Sequence, residues 1–155
     1  MRKIIIFIML LSFFLIILTW GKETPQIPNF PKGVLKIYQH NKALEIPIEI
    51  ADREDLHSFG LMFRKDIPWN FGMLFVFKED VNYGFWMKNT YIPLEIGFID
   101  SNKIIFNIQK MFPCNEEQCK IYYSPKPYRY ALEVKMGFFK KFGFKEGAKI
   151  EYWRK

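Results

Sequence analysis

Several chemical signatures are missing from this sequence of 155 residues. It has no glycine-rich phosphate-binding loop, no H-E-x-x-H zinc motif and no G-x-S-x-G nucleophile elbow. Histidine occurs only at His40 and His57, and cysteine only at Cys114 and Cys119. No internal repeat or low-complexity tract is present. These absences remove the common nucleotide-binding, metalloprotease and serine-hydrolase classes, so the sequence does not name a reaction.

The residues also give no reason to expect a cofactor or a metal. The two histidines are far from the cysteine pair in sequence, so that pair lacks further ligands nearby. Seven methionines could suggest copper binding outside the cytoplasm. Core packing explains them better, because most fall inside apolar patterns. These are Met62, Met73, Met87, Met111 and Met136.

Positive charge is in excess, with a formal net charge of +7. Such an excess can indicate nucleic acid or an anionic membrane surface. Here, however, lysine and arginine stand singly between hydrophobic residues, and no DNA-binding or RNA-binding signature is present. We therefore interpret the charge as a solubility feature and expect no nucleic-acid partner.

The first twenty residues predict the compartment. Arg2 and Lys3 precede an apolar run from Ile4 to Leu18 that only Ser12 interrupts. The run is intermediate in length between a signal-peptide core and a membrane span. Its end is a poor cleavage site, which favours an uncleaved anchor through residues 4–20. The flanking positive charges place the rest of the chain outside the cytoplasm, periplasmic or extracellular. Cleavage of a signal peptide, giving a secreted protein, is the alternative.

Three segments follow from composition. Residues 1–20 are the signal peptide or membrane anchor, and residues 21–32 form a linker with three prolines. Residues 33–155 have the length and apolar content of a single β-rich domain.

Cys114 and Cys119 fit an exported domain. They have four residues between them and lie between two segments with strand character. Outside the cytoplasm, an even pair of cysteines is expected to form a disulfide. The bond would close a short loop and mainly fix its shape.

The domain is predicted to be mostly β (α+β): a largely antiparallel sheet or barrel with one main helix, preceded by the N-terminal hydrophobic helix. Apolar and polar residues alternate in several short segments, and Pro47 suggests an edge strand or a bulge. In the segment 128–135 the alternation places Tyr130, Leu132 and Val134 inward and Glu133 outward. The main helix is predicted over 52–63 with Asp52 as its N-cap. Residues 138–142 predict a short helical turn closed by a glycine.

An ordered series of blocks resembles the domain-of-unknown-function family 192. The blocks are G-L-M-F-R (60–64), G-M-L-F-V-F (72–77), F-W-M-K-N-T (85–90), I-P-L-E-I-G-F-I-D (92–100), L-E-V-K-M-G (132–137) and G-F-K-E-G-A-K-I (143–150). The resemblance implies a small, often exported or membrane-anchored protein with a compact β-rich fold, and it implies no activity. One difference is Glu95, because the family usually has aspartate after I-P-L.

The polar and aromatic residues inside these blocks are the candidate site. Lys88 and Glu95 would meet if their strands paired across the turn between them, either as a buried ion pair or as the centre of a pocket. Trp69 and Trp86 would wall such a pocket, which would suit a small anionic or sugar-like ligand. The full set of candidates is Arg64, Trp69, Trp86, Lys88, Asn89, Glu95 and Glu133.

Three functions remain open. We favour a membrane-tethered extracytoplasmic module that binds a small ligand or a partner. The second is a hydrolase or transferase in which Glu95 or Glu133 acts as acid or base with Arg64 and Lys88. The third is a structural partner for an envelope protein. Catalysis is the less favoured class, because none of the enzyme motifs sought above is present.

Overall fold

A computed structural model describes residues 25–155 apart from positions 115 and 117. The predicted anchor, signal peptide and N-terminal hydrophobic helix lie outside these residues. Within the described range, none of the helices is long and apolar enough to cross a membrane.

The described residues form nine strands and two short helices. In chain order these are β1 (Lys32–Gln39), β2 (Lys42–Ala51), α1 (Glu54–Phe59), β3 (Gly72–Val81), β4 (Phe85–Trp86), β5 (Leu94–Ile99), β6 (Ile105–Met111), β7 (Ile121–Tyr122), β8 (Tyr128–Lys135), α2 (Phe138–Phe142) and β9 (Lys149–Arg154).

Seven strands build one curled sheet in the order β6-β5-β8-β3-β2-β1-β9, and β4 pairs with β7 in a separate small sheet. Among the strand pairs of the described residues, only β2 with β3 is parallel. The two edge strands of the large sheet, β6 and β9, approach each other. The Ile105 amide of β6 donates a hydrogen bond to the Ala148 carbonyl, next to β9, at 2.8 Å. The predicted fold class, mostly β and largely antiparallel, is confirmed.

Both faces of the curled sheet are buried. One face forms a core to which all seven strands contribute and which α2 covers with Phe138 and Phe139; we call it the seven-strand core. The other face packs under α1 and the connecting loops, and we call it the loop-covered core. Strands buried on both faces do not show simple alternation of apolar and polar residues.

This double burial corrects the prediction for β8. Leu132 and Val134 belong to the seven-strand core, as their apolar character predicted. Glu133 was expected to face solvent but is only 5% exposed. It lies on the opposite face, where its neighbour Ala131 joins the loop-covered core.

Pro47 lies in β2, which is an internal strand of the sheet rather than an edge strand. It pairs with Val34 of β1, whereas the pairing of β2 with β3 begins only at Ile48. Because one side of β2 is unpaired at Pro47, the missing amide hydrogen costs no ladder bond with β3.

Helix α1 is shorter than predicted. Its N-cap is Arg53, without a side-chain capping bond, and Asp52 instead accepts a hydrogen bond from Arg154. Gly60 ends the helix with a φ of +50°, a value that suits glycine. The predicted turn at 138–142 is confirmed as α2, and Gly143 closes it with a φ of +75°.

Candidate ligand cavity

A cavity of about 450 Å³ lies between α1, the segment 83–86 and the strands β3 and β8. Its walls are largely aromatic. The rings that line it belong to Phe59, Phe75, Phe77, Tyr83, Phe85, Trp86 and Tyr128. The side chains that bring polar atoms to it belong to Glu54, His57, Ser58, Thr90 and Glu133, besides the phenol groups.

The rings support one another in perpendicular pairs. Phe75 and Phe85 have centroids 4.9 Å apart, and Phe77 and Tyr128 have centroids 5.5 Å apart. Such edge-to-face pairs are favourable beyond their burial, so the walls are preformed. The Tyr128 hydroxyl donates to the Tyr83 carbonyl at 2.9 Å. Burial raises the pKa of Tyr128, so its phenol stays a donor at neutral pH.

Glu133 is the buried ionisable group of this cavity. Its strand neighbours in register are Met73 of β3 and Ile96 of β5, both apolar. Burial alone raises the pKa of Glu133 from 4.5 to about 8, and no charge or hydrogen-bond donor of the described residues offsets it. The carboxyl group is therefore mostly protonated at neutral pH and can both donate and accept a hydrogen bond.

Gly60 lets the chain after α1 approach this carboxyl group. A Cβ at Gly60 would lie 3.3 Å from Phe75 Cζ and 3.9 Å from Glu133 Oε2. Because this position also has a positive φ, a side chain there would be strained. Glycine thus serves both to end the helix and to close one wall of the cavity.

The orientation of His57 is fixed by the backbone. Its Nε2 lies 3.0 Å from the Ala51 carbonyl oxygen and 3.2 Å from the Val76 carbonyl oxygen. Two acceptors require that Nε2 carries the hydrogen, so Nδ1 is the acceptor nitrogen of the neutral ring. The ring stacks beside Phe77 with centroids 4.4 Å apart.

The structure separates the predicted site residues. Trp86, which is 48% exposed, and Glu133 line the cavity. Five other candidates lie outside its lining, namely Arg64, Trp69, Lys88, Asn89 and Glu95.

The predicted pairing of Lys88 with Glu95 is wrong. Strand β5 pairs with β6 and β8, whereas β4 pairs with β7, so the expected hairpin does not form. Glu95 faces α2, where its Oε2 accepts a hydrogen bond from the Phe139 amide at 3.2 Å. Lys88 is exposed, and its ammonium group lies 5.5 Å from the Trp86 ring centroid.

Arg64 has a structural role in the fold. Its guanidinium group forms an ion pair with Glu49 of β2. The guanidinium carbon lies 5.9 Å from the Phe30 ring centroid and 5.7 Å from that of Phe71. The Nε atom is buried without a hydrogen-bond partner among the described residues. These contacts hold the loop after α1 against the sheet.

Trp69 and Asn89 also have local roles. Trp69 was expected to wall the pocket, but its ring lies beside the ammonium groups of Lys135 and Lys141, at 5.5 Å and 5.0 Å. Asn89 has a φ of +58°, a turn conformation that asparagine tolerates. Its carbonyl accepts the Phe63 amide at 2.8 Å, which joins two loops near the cavity.

Sequence reasoning missed His57 and Tyr128. His57 is an ordinary helix position in the sequence, and only the packing of α1 on β3 brings it to the cavity. Tyr128 and Ala131 pack in the same core although three positions separate them, which breaks strict alternation. The register between β3 and β8 shifts between Val76 and Val81, which accounts for the break.

The two cysteine sulfurs lie at disulfide distance, 2.14 Å, and their Cα atoms are 5.7 Å apart. Cys114 also forms an isolated bridge with Lys88, which ties the cysteine loop to the chain after β4. In the described part of the chain, no group of three histidine, cysteine or acidic side chains is placed to hold a metal.

The fold and the cavity define a small β domain built on a curled seven-stranded sheet. The chain belongs to the DUF192 family, whose model, described as "Uncharacterized ACR", matches residues 36–152. This agrees with the resemblance found in the sequence blocks.

The solved structures that are similar to this chain include the following two. One, from Sinorhizobium meliloti 1021, is named a "putative transcription regulator"; it is 30% identical, with a TM-score of 0.75, over 82% of this chain and 98% of that one. The other is a protein of unknown function from Novosphingobium aromaticivorans DSM 12444; it is 27% identical, with a TM-score of 0.71, over 77% of this chain and 84% of that one. None of the curated proteins matches the sequence.

Proposed function

We propose that this domain is a small-ligand binding module and that its ligand occupies the cavity beside Glu133. The observation that carries the proposal is Glu133, a residue only 5% exposed that lines an aromatic cavity and whose carboxyl group has no hydrogen-bond partner among the described residues. Burying such a group without a hydrogen bond is unfavourable. A ligand that hydrogen-bonds to it would offset that cost.

The size and lining of the cavity support the same function. Ligand pockets typically have volumes of about 300–1,000 Å³, mostly apolar walls and a few placed polar groups. This cavity has about 450 Å³, aromatic walls and the polar side chains of Thr90, His57 and Glu133. Thr90 is itself buried, so its hydroxyl group adds a second polar contact at the cavity wall.

The alternatives have less support. The hydrolase or transferase hypothesis required Arg64 and Lys88 near a carboxylate in one site. Arg64 pairs with Glu49, and Lys88 is exposed outside the cavity. A purely structural partner of an envelope protein does not account for a cavity with a buried carboxyl group.

We also propose that residues 4–20 tether the domain to a membrane and that the domain lies outside the cytoplasm. The apolar run from Ile4 to Leu18 after two positive residues supports this. The cysteine pair at disulfide distance supports it as well, because disulfides persist in oxidising compartments.

A ligand screen with a cavity-blocking variant tests the binding function. The full chain, in lipid nanodiscs, is screened against small molecules by the shift in its unfolding midpoint. Ser58 is exposed and lines the cavity, so Ser58→Trp should fill its entrance. Asp55 lies on the same helix outside the cavity lining, so Asp55→Trp adds the same ring as a matched control.

We expect at least one compound to raise the midpoint of the natural chain and of Asp55→Trp but not that of Ser58→Trp. A compound that stabilises Ser58→Trp equally well binds elsewhere. That result, or a screen without any stabilising compound, would contradict the proposal.

A further inference from the structure

The balance of acidic and basic residues at the cavity is the reverse of that of the whole chain. The sequence has 23 lysines and arginines against 16 acidic residues. Yet among the described residues no lysine or arginine lines the cavity, whereas Glu54 and Glu133 both do. An anionic ligand would therefore meet two carboxyl groups and no basic counter-charge. The carboxyl groups of the cavity, once ionised, instead complement a cation.

The aromatic walls have the same preference. The face of an aromatic ring carries negative potential, and a cation within about 6 Å of a ring centroid is attracted to it. Phe75, Phe77, Phe85 and Tyr128 form a connected group of rings at the cavity. An organic ammonium ion loses its hydration shell when it enters such a cavity. The faces of the aromatic rings and one hydrogen-bonded ion pair with the carboxyl group can replace that hydration.

The position of Glu133 supplies the acceptor for that ion pair. The side chains that face its carboxyl group from β3 and β5 are apolar, Met73 and Ile96. From α1 come Glu54 and His57, and the remaining titratable groups at the cavity are the phenols of Tyr83 and Tyr128. His57 directs its Nε2–H at two backbone carbonyls, so that hydrogen is not available to Glu133.

We propose that the ligand of this cavity is a primary or secondary organic ammonium ion with an apolar or aromatic body. Its N–H groups donate to the ionised carboxylate of Glu133 while its body packs against the rings. The inference rests on the proposed binding function and names the ligand class of that same site.

Binding of such a cation is linked to proton release. In the empty cavity burial raises the pKa of Glu133 to about 8, so the carboxyl group must lose its proton when the ammonium binds. Below that pKa, the affinity for the cation should rise about tenfold per pH unit. The affinity for a neutral ligand of the same shape should not change in this way.

Three probes with one phenyl ring and different head groups test the inference. They are phenethylamine, which is cationic, 2-phenylethanol, which is neutral, and phenylacetate, which is anionic. Binding to the full chain in zwitterionic nanodiscs is measured by calorimetry from about pH 5 to about pH 8, with empty nanodiscs subtracted. We expect phenethylamine to bind at least tenfold more tightly than the other two at the upper end of this range, with the predicted dependence on pH.

Two variants, each with one buried glutamate replaced by glutamine, distinguish a specific role of Glu133 from a general effect on folding. Glu133→Gln should weaken phenethylamine binding at least tenfold and remove its pH dependence. Glu95→Gln should leave both unchanged, because Glu95 is as buried as Glu133 but faces the other side of the sheet.

The inference is overturned if phenethylamine binds no more tightly than 2-phenylethanol, or if its affinity does not depend on pH. If 2-phenylethanol binds and Ser58→Trp abolishes that binding, the cavity remains a ligand site and only the cationic class is wrong. If no probe binds, the inference is also overturned, whereas the binding function is decided separately by the screen.

Discussion

Two buried glutamates on neighbouring strands have different surroundings. Glu95 on β5 and Glu133 on β8 are each 5% exposed. Glu95 accepts a hydrogen bond from the Phe139 amide on the face of the seven-strand core. Glu133 faces the loop-covered core and the cavity, where burial raises its pKa without an offsetting contact. The same residue type thus supports packing in one position and forms a candidate binding group in the other.

At this scale we predict that Glu133 makes the stability of the domain depend on pH. The folded state keeps the proton up to about pH 8, whereas in the unfolded chain the pKa is near 4.5. The free energy of unfolding should therefore be highest below the unfolded pKa and fall as pH rises through this window, by about 1.4 kcal/mol per pH unit. Denaturant titrations of the natural chain and Glu133→Gln across this range measure the effect as the difference between them.

Glu133→Gln should be the more stable of the two at high pH. Glu95→Gln is the size-matched control for replacing a buried glutamate. Parallel pH profiles for the natural chain and Glu133→Gln would show that the carboxyl group is not held as a buried acid.

Among the elements, the short pair β4 and β7 shapes the outer side of the cavity. Tyr83 and Trp86 line the cavity at and next to β4. Gly84 lies so close to β7 that a Cβ there would be 2.3 Å from Ile121 Cγ2. The cysteine loop leads into β7, and its bridge to Lys88 joins it to the chain just after β4. We therefore expect the loop to affect the local stability of this wall.

We predict that the Cys114–Cys119 bond stabilises this wall locally. Replacing both cysteines by serine should lower the free energy of unfolding by about 1–3 kcal/mol, because the loop is short. Hydrogen exchange should become faster at β4 and β7 but change little in β8. Thiol labelling of the natural, denatured protein should find no free cysteine, and two titratable thiols in exported protein would contradict the prediction.

For the whole molecule, the location of the domain depends on residues 4–20. We predict that carbonate extraction of cells leaves the full-length protein in the membrane pellet, because the run from Ile4 to Leu18 is apolar and its end is a poor cleavage site. A soluble form that begins near residues 21–24 would show instead that the leader is cleaved.

The fold class could be predicted from the sequence because short apolar segments indicate strands, and because glycine, proline and turn residues between them mark where the strands end. The family followed from the ordered blocks, and the pairing of Cys114 with Cys119 from their even number and the predicted extracytoplasmic location. Glu133 and Trp86 were found as polar and aromatic residues inside those blocks. These features depend on residues close together in the chain, or on composition alone.

The pairing of strands and the choice of face were decided only by the tertiary structure. Lys88 and Glu95 are seven positions apart, yet their segments do not pair. Strand β5 pairs with β6 and β8, whereas β4 pairs with β7. Glu133 was predicted to face outward by alternation, but β8 is covered on both faces, so alternation no longer separates core from solvent. His57 reaches the cavity because α1 packs over β3. Local sequence patterns are therefore sufficient to predict the kind of fold, whereas contacts between distant segments select which carboxyl group is buried at the cavity.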